Sequence, residues 1–135
     1  MSSISGINRE YIPYIPSLES MDEQSFFSAM YKRGVYLDVK FANWIEQYPY
    51  TPIVSGFMAF SDKVLAVAFD VVEEHVCAVE MSDNGRVWED SCVELFIDNP
   101  TGEGYYNFEV NAIGTLLAAF RLSRSKAVHF SSEML

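Results

Sequence analysis

A β-hairpin is predicted by residues 92–112, which read Cys92-Val-Glu-Leu-Phe-Ile-Asp-Asn-Pro-Thr-Gly-Glu-Gly-Tyr-Tyr-Asn-Phe-Glu-Val-Asn-Ala112. Apolar and polar side chains alternate on both sides of a short loop, which is the period of a strand. The loop, residues 99–104, contains two glycines, a proline and an asparagine, all of which favour turns. We therefore predict two antiparallel strands, Cys92–Asp98 and Tyr105–Ala112.

The same alternation divides the hairpin side chains between two faces. The predicted core face carries Val93, Leu95, Ile97, Tyr106, Phe108 and Val110. The opposite, outward face then carries Glu94, Phe96, Asn107, Glu109 and Asn111. Because polar residues collect on that second face, it is either an ordinary solvated surface or a binding surface.

Further strands are predicted at similar spacing along the chain. They cover Val35–Phe41, Ile53–Phe60, Val64–Val72, His75–Met81, Thr115–Leu122 and Ala127–Phe130. Residues 20–34 predict one helix, with Ser20 or Asp22 as its N-cap and Gly34 as a left-handed stop. Residues 1–20 are expected to form an extended leader on the surface. This order predicts an all-β fold, a single-domain antiparallel β-sandwich (jelly-roll or immunoglobulin-like layers) with one short N-terminal helix.

Composition excludes several classes of partner. The chain has 135 residues, and 9 Lys and Arg stand against 19 Asp and Glu, a net charge of −10. Such a protein is repelled by nucleic-acid phosphates and by anionic lipid surfaces, so we expect no nucleic-acid and no membrane partner. Half of the residues are apolar, which argues against disorder. The first ten residues lack a basic start and an apolar core, which predicts a cytoplasmic protein.

The cysteines and the acidic loop residues do not have the spacing of known metal sites. Cys77 and Cys92 have no metal-type spacing and are predicted to be buried, reduced thiols, with a Cys77–Cys92 disulfide as the alternative. We expect no cofactor. Calcium is the alternative, because the predicted loops contain oxygen ligands at Asp83, Asn84, Glu89, Asp90, Asp98 and Asn99, although without EF-hand spacing.

Trp88 precedes the hairpin and follows a turn that contains glycine. An exposed indole beside carboxylates and amides is the chemistry that holds sugars, because C–H faces stack on the ring and hydroxyls form hydrogen bonds. The alternative is that Trp88 covers the edge of the core above a solvated sheet face. Trp44, between Asn43 and Ile45, is predicted to have a core or staple role rather than to contact a ligand.

Glu94 and Glu109 are a candidate carboxylate pair. Glycoside hydrolysis uses two such groups, but nothing else in the sequence indicates a catalytic cleft. We therefore predict that the protein is not an enzyme.

Two segments resemble family 9 carbohydrate-binding modules, which belong to a DOMON-like group of sugar- and haem-binding β-sandwiches. They are Trp88-Glu-Asp-Ser-Cys-Val-Glu-Leu-Phe-Ile-Asp98 and Tyr105-Tyr-Asn-Phe-Glu-Val-Asn-Ala-Ile-Gly-Thr115. The resemblance extends from about Trp44 to Arg124. It implies that Trp88 is a stacking tryptophan, and that Glu94 and Asn111 bind sugar hydroxyls. Glu109 stands where related modules carry an arginine, and their second stacking tryptophan lies in a segment beyond Leu135.

The sequence therefore predicts non-catalytic binding of an oligosaccharide or polysaccharide end by Trp88, Glu94, Asn111 and Glu109. The first alternative is a protein-interaction module without a sugar ligand. Haem binding is a second alternative, with candidate axial ligands at Met58, Met81, His75 and His129. We also expect a homo-oligomer, because a sandwich lacking the family's last strands exposes a sheet edge and part of its core.

Overall fold

The computed structural model describes residues 10–135. The described part contains a 3-10 turn at Leu18–Ser20, helix α1 at Glu23–Arg33, and a second 3-10 turn at Val87–Glu89. Its strands are β1 Val35–Asp38, β2 Ile53–Phe60, β3 Leu65–Val72, β4 Cys92–Asp98, β5 Tyr105–Asn111, β6 Leu116–Ser123 and β7 Lys126–His129. They form two antiparallel sheets, β1-β2-β3 and β4-β5-β6-β7. The prediction of an antiparallel all-β fold with one N-terminal helix is confirmed. No described helix is long and apolar enough to cross a membrane.

The chain divides into two compact units, of which the first ends at Glu73. In this unit α1 begins at an Asp22 cap, whose Oδ1 accepts a hydrogen bond from the Ser25 N–H at 2.9 Å. Gly34 ends the helix with φ −66°, so the predicted left-handed stop is wrong. Glycine is needed there for space instead, since a Cβ would lie 2.6 Å from the carbonyl oxygen of Met30.

The core of the first unit includes part of the predicted surface leader. Its buried residues are Ile15, Leu18, Met30, Ala59, Ala66 and Ala68. The Ile15 N–H donates a hydrogen bond to the Phe60 carbonyl at 2.8 Å, which attaches this segment to β2. The prediction of a surface leader is therefore wrong for Ile15 and Leu18, because their side chains fill the space between α1 and the sheet. Residues 1–9 of that leader lie outside the described residues.

The second unit, residues 74–135, contains the hairpin and the two strands that follow it. The loop between β4 and β5 has Gly102 and Gly104 at φ +80° and +78°, as its glycine-rich sequence predicts. The strand predicted at His75–Met81 is absent from this part of the chain, and that prediction is wrong. The reason is that its N–H groups bind side chains: Ser91 Oγ accepts from Cys77, and Asp90 Oδ2 accepts from Val79 and Glu80.

Candidate functional site

Trp88 stands on the 3-10 turn Val87–Glu89, which contacts β4 and β5. The turn is anchored by Val87, which is fully buried against Leu117 and Ala119. Trp88, the next residue, keeps 52% of its surface exposed. The turn therefore presents a partly exposed indole beside the sheet face that carries the polar residues of the hairpin.

The turn is fixed by the carboxylate of Asp90. Its Oδ2 accepts hydrogen bonds from the backbone N–H groups of Val79 (3.0 Å) and Glu80 (2.9 Å), and from the Asn111 amide (2.9 Å). These bonds hold the pKa of Asp90 below its usual range, the Glu80 N–H contributing most. Asp90 was predicted only as a candidate calcium ligand, and its positioning role was missed.

Both atoms of the Asn111 side-chain amide, Nδ2 and Oδ1, form hydrogen bonds within the protein. Its Nδ2 donates to the Glu80 carbonyl and to Asp90, while its Oδ1 accepts from the N–H groups of Ile113 and Thr115. An asparagine offers two donors and two acceptor positions, so this side chain is fully occupied, and it is only 4% exposed. Asn111 thus holds the Trp88 turn in place, and its predicted direct contact with sugar stays a prediction.

Glu80 completes this support. Its carboxylate accepts hydrogen bonds from the N–H groups of Ser82 (2.9 Å) and Arg86 (3.1 Å), which hold the pKa of Glu80 below its usual range. Its carbonyl also accepts from the Thr115 hydroxyl at 2.7 Å. Neither Glu80 nor Thr115 could be selected from the sequence, because a side chain that bonds to backbone groups leaves no periodic pattern.

The polar face of the hairpin forms as the alternation predicted. Glu94 lies directly opposite Glu109, Phe96 opposite Asn107, and Cys92 opposite Asn111. On β6 the same face carries Leu117, Ala119 and Arg121. Arg121 donates from Nε to Asn107 Oδ1 at 2.8 Å. Arg121 is not among the predicted site residues, although a period of two continued along β6 places it on the same face as Leu117 and Ala119.

The predicted outward position of this face is wrong for its residues on β5, Asn107, Glu109 and Asn111, which are buried. Asn107 is 1% exposed and Glu109 is 6% exposed. Among residues 10–135, Asn107 Nδ2 and Glu109 Oε2 have no hydrogen-bond partner, although both atoms are buried. A buried polar group without a partner costs about 1–3 kcal/mol, so most native proteins pair such atoms. The two atoms thus leave donor capacity on the Asn107 amide and acceptor capacity on the Glu109 carboxylate unused.

Glu94, on the neighbouring strand, is more exposed than Glu109. Desolvation raises the pKa of Glu94, the charge of Glu109 raises it further, and Arg121 acts in the opposite direction. A carboxyl with a raised pKa donates a hydrogen bond when protonated and accepts one when ionised. Together, Glu94, Asn107, Glu109 and Arg121 form a polar strip that can donate and accept hydrogen bonds.

The other candidate residues are spread out in the described structure. Cys77 and Cys92 are free thiols, and Cys77 is exposed, so the prediction that both are buried is wrong for Cys77. Among the described residues, no three or more His, Cys, Asp or Glu side chains cluster as metal ligands. His75, His129 and Met81 are exposed, and Met58 lies in the first unit.

Trp44 is 68% exposed, so its predicted core role is wrong. It lies on the connection between β1 and β2, where it lines an aromatic cleft instead of packing in a core.

The comparisons with known proteins agree with this fold. The model of the family described as carbohydrate-binding family 9 matches residues 26–135. A solved structure of a proposed carbohydrate-binding protein from Bacteroides uniformis is similar, with a TM-score of 0.79 and 31% identity. The match covers 90% of this chain and 56% of that one, so this chain spans about half the length of its structural relative. No curated protein matches at a significant level. The chain belongs to carbohydrate-binding family 9, as its two hairpin segments predicted.

Proposed function

We propose that this protein is a non-catalytic carbohydrate-binding module that holds the end of a neutral oligosaccharide or polysaccharide. Trp88 provides the stacking surface, and the polar strip of Glu94, Asn107, Glu109 and Arg121 binds hydroxyls. Membership of carbohydrate-binding family 9 supports the ligand class. The ring and the strip are assigned from their own exposure and hydrogen bonding.

One observation carries the proposal: Asn107 Nδ2 and Glu109 Oε2 are buried and unpartnered on the face that the Trp88 turn contacts. Both atoms are enclosed in the free protein, so binding includes a shift of the side chains that cover this face, after which adjacent hydroxyls pair with the amide donor and the carboxylate acceptor. The cost of leaving these atoms unpaired in the free protein is then recovered on binding. Buried polar atoms without hydrogen-bond partners are typical of a binding surface and unusual in a purely structural sheet.

The charge of the site indicates a neutral sugar. Glu94 and Glu109 lie side by side, and only Arg121 supplies a positive charge within the strip. With a net charge of −10, the whole chain also repels uronic acids and sulfated sugars. Neutral hydroxyls accept from the guanidinium and donate to the carboxylates, which are charge-assisted hydrogen bonds.

In this proposal Asn111 acts through Asp90 and Glu80, whose contacts orient the Trp88 turn. Its direct contact with sugar would require it to give up one of its four hydrogen bonds.

Calorimetric titration with neutral oligosaccharides of different backbone sugars tests the proposal. We expect binding that Trp88→Ala weakens by about tenfold or more, because the ring supplies most of the apolar contact. Tyr11→Ala removes another exposed aromatic ring, outside the site, and should bind as wild type. Absence of binding across the panel up to about 10 mM would contradict the proposal and favour a protein-interaction module.

A second measurement tests the non-catalytic part. We expect no new reducing ends after long incubation with a bound oligosaccharide. Reducing ends that disappear in the Glu94→Gln variant would instead indicate that Glu94 and Glu109 act as a hydrolytic pair.

A further inference from the structure

The connection between β1 and β2 is unusually long and aromatic. It spans residues 39–52 and contains Phe41, Trp44, Tyr48 and Tyr50, all exposed. Connections of this length without regular structure are uncommon in compact domains and usually have a function. Exposed rings grouped in one loop also leave apolar surface in water, which proteins avoid unless a ligand covers it.

These rings line a cleft of about 530 Å³ in the first unit. Tyr36 of β1 provides one wall, and its ring lies 5.7 Å from that of Phe57, which packs against the core of this unit. The volume lies within the range of about 300–1,000 Å³ that small-ligand sites occupy. The cleft therefore has one wall attached to the sheet and another supplied by the loop.

The loop has some internal order at its centre. The N–H groups of Gln47 and Tyr48 both donate to the carbonyl of Trp44, at 3.0 and 2.8 Å. These bonds form a turn between Trp44 and Tyr48. The backbone positions of two residues whose rings line the cleft are thus held relative to each other.

The polar groups of the cleft carry no net charge. Lys40 Nζ lies 2.8 Å from Asp38 Oδ2, so the two charges cancel each other. Asn43 and Thr51 add an amide and a hydroxyl to the lining. A charged ligand gains little from such a cleft, whereas a neutral polyhydroxylated molecule finds aromatic faces together with hydrogen-bond donors and acceptors.

We infer that this cleft is a second carbohydrate site, which shares no residue with the Trp88 site. The ligand class rests on the proposed function, while the location rests on the cleft itself. Sugar rings stack on Trp44 and the tyrosines, and hydroxyls bond to the Asp38–Lys40 pair. A flat apolar protein surface is a poorer occupant, because it would bury that ion pair and the polar lining groups without supplying partners.

The chain contains only two tryptophans, and each candidate site has one of them. Trp88→Phe leaves Trp44 as the single strong fluorophore, and Trp44→Phe leaves Trp88. Each variant is titrated with neutral tetrasaccharides of glucose, xylose, mannose and galactose. We expect the emission of Trp44 to change in Trp88→Phe, and the added change Tyr48→Ala to weaken this response about tenfold.

Three outcomes separate the two sites. A response of Trp88 without one from Trp44, up to about 10 mM sugar, overturns the second site and leaves the proposed function standing. A response of Trp44 alone supports the second site and contradicts the role of Trp88. If neither tryptophan responds and calorimetry shows no heat, both fail. Tyr11→Ala in the Trp88→Phe background is the matched control, and its response should equal that of Trp88→Phe.

Discussion

Glu94 and Glu109 lie directly opposite each other on β4 and β5, so two acidic groups are neighbours on a partly desolvated sheet face. Burial and the charge of Glu109 raise the pKa of Glu94, and Arg121 compensates only in part. The folded protein thus holds the Glu94 proton more tightly than the unfolded chain does. The contribution of Glu94 to stability is therefore full at acid pH and is lost as the pH rises through its raised pKa.

Glu94→Gln should stabilise the protein near neutral pH, because it removes one of two like charges directly opposite each other, a gain of up to about 1 kcal/mol. Urea denaturation at pH 7 and near pH 4 measures the effect, and the gain should shrink at the lower pH. Glu103→Gln in the exposed hairpin loop is the control for a general loss of one negative charge. An equal gain at both pH values would contradict this account.

Glu109→Met should separate stability from binding. It replaces an unpartnered buried oxygen with an apolar side chain, so the free energy of unfolding should stay equal or rise by about 1 kcal/mol. Affinity for sugar should fall, since the acceptor of the polar strip is gone. Denaturation and calorimetry on the same preparation give both values. A variant that is clearly less stable would show that Glu109 has a structural partner in solution.

Asn111→Ala should reduce stability by roughly 2–4 kcal/mol, because four hydrogen bonds to buried or partly buried groups are lost together. Denaturation of the variant measures this cost. Asn107→Ala is the comparison, since that equally buried amide makes a single described bond, to Arg121. Equal losses of unfolding free energy for the two substitutions would contradict the role of the Asn111 hydrogen bonds in holding the Trp88 turn.

The two cysteines should differ in reactivity. Desolvation, followed by the charges of Glu94, Glu109 and Asp90, raises the pKa of Cys92 to about 11. Its thiolate is therefore scarce at pH 8. Desolvation and the hydrogen bond to Asp90 also raise the pKa of Cys77, but this thiol is exposed, so iodoacetamide should modify Cys77 first. Mass spectrometry of peptides after timed labelling gives the order, with a urea-unfolded sample as the control in which both react. A native sample that resists labelling at both positions until it is reduced would indicate the Cys77–Cys92 disulfide.

We also predict a homodimer or larger assembly that forms by strand pairing. β3 is an edge strand of its sheet, and Leu65, Val71 and Val72 on it are exposed. The net charge of −10 opposes association, so assembly should increase between about 20 and 500 mM salt. Light scattering measures the mass, and Val71→Lys should shift it toward the monomer. A mass near 15.3 kDa at both salt concentrations contradicts the prediction.

Local pattern determined the hairpin almost residue by residue. β4 coincides with the predicted Cys92–Asp98, and β5 ends one residue before the predicted Ala112. A period of two determines which side chains of such a pair share a face. The common face of Glu94 and Glu109 was therefore predicted from the sequence, whereas their position directly opposite each other comes from the structure.

The support of Trp88 could not be predicted in this way. The segment 75–81 has the apolar character of a strand, yet its N–H groups bind Asp90 and Ser91. The hydrogen-bond partner of a backbone group depends on which residues the fold places near it. A side-chain acceptor ten residues away leaves no periodic pattern in the sequence.

The sequence by itself thus determined the hairpin, the division of its side chains between two faces and the family to which the chain belongs, because these depend on neighbouring residues and on short motifs. Only the tertiary structure decided that Asn107 and Glu109 are buried without full partners, that Ile15 belongs to a core, and that Trp44 is exposed. Alternation tells which side chains share a face. Which chain segment covers that face is decided by contacts between residues distant in sequence.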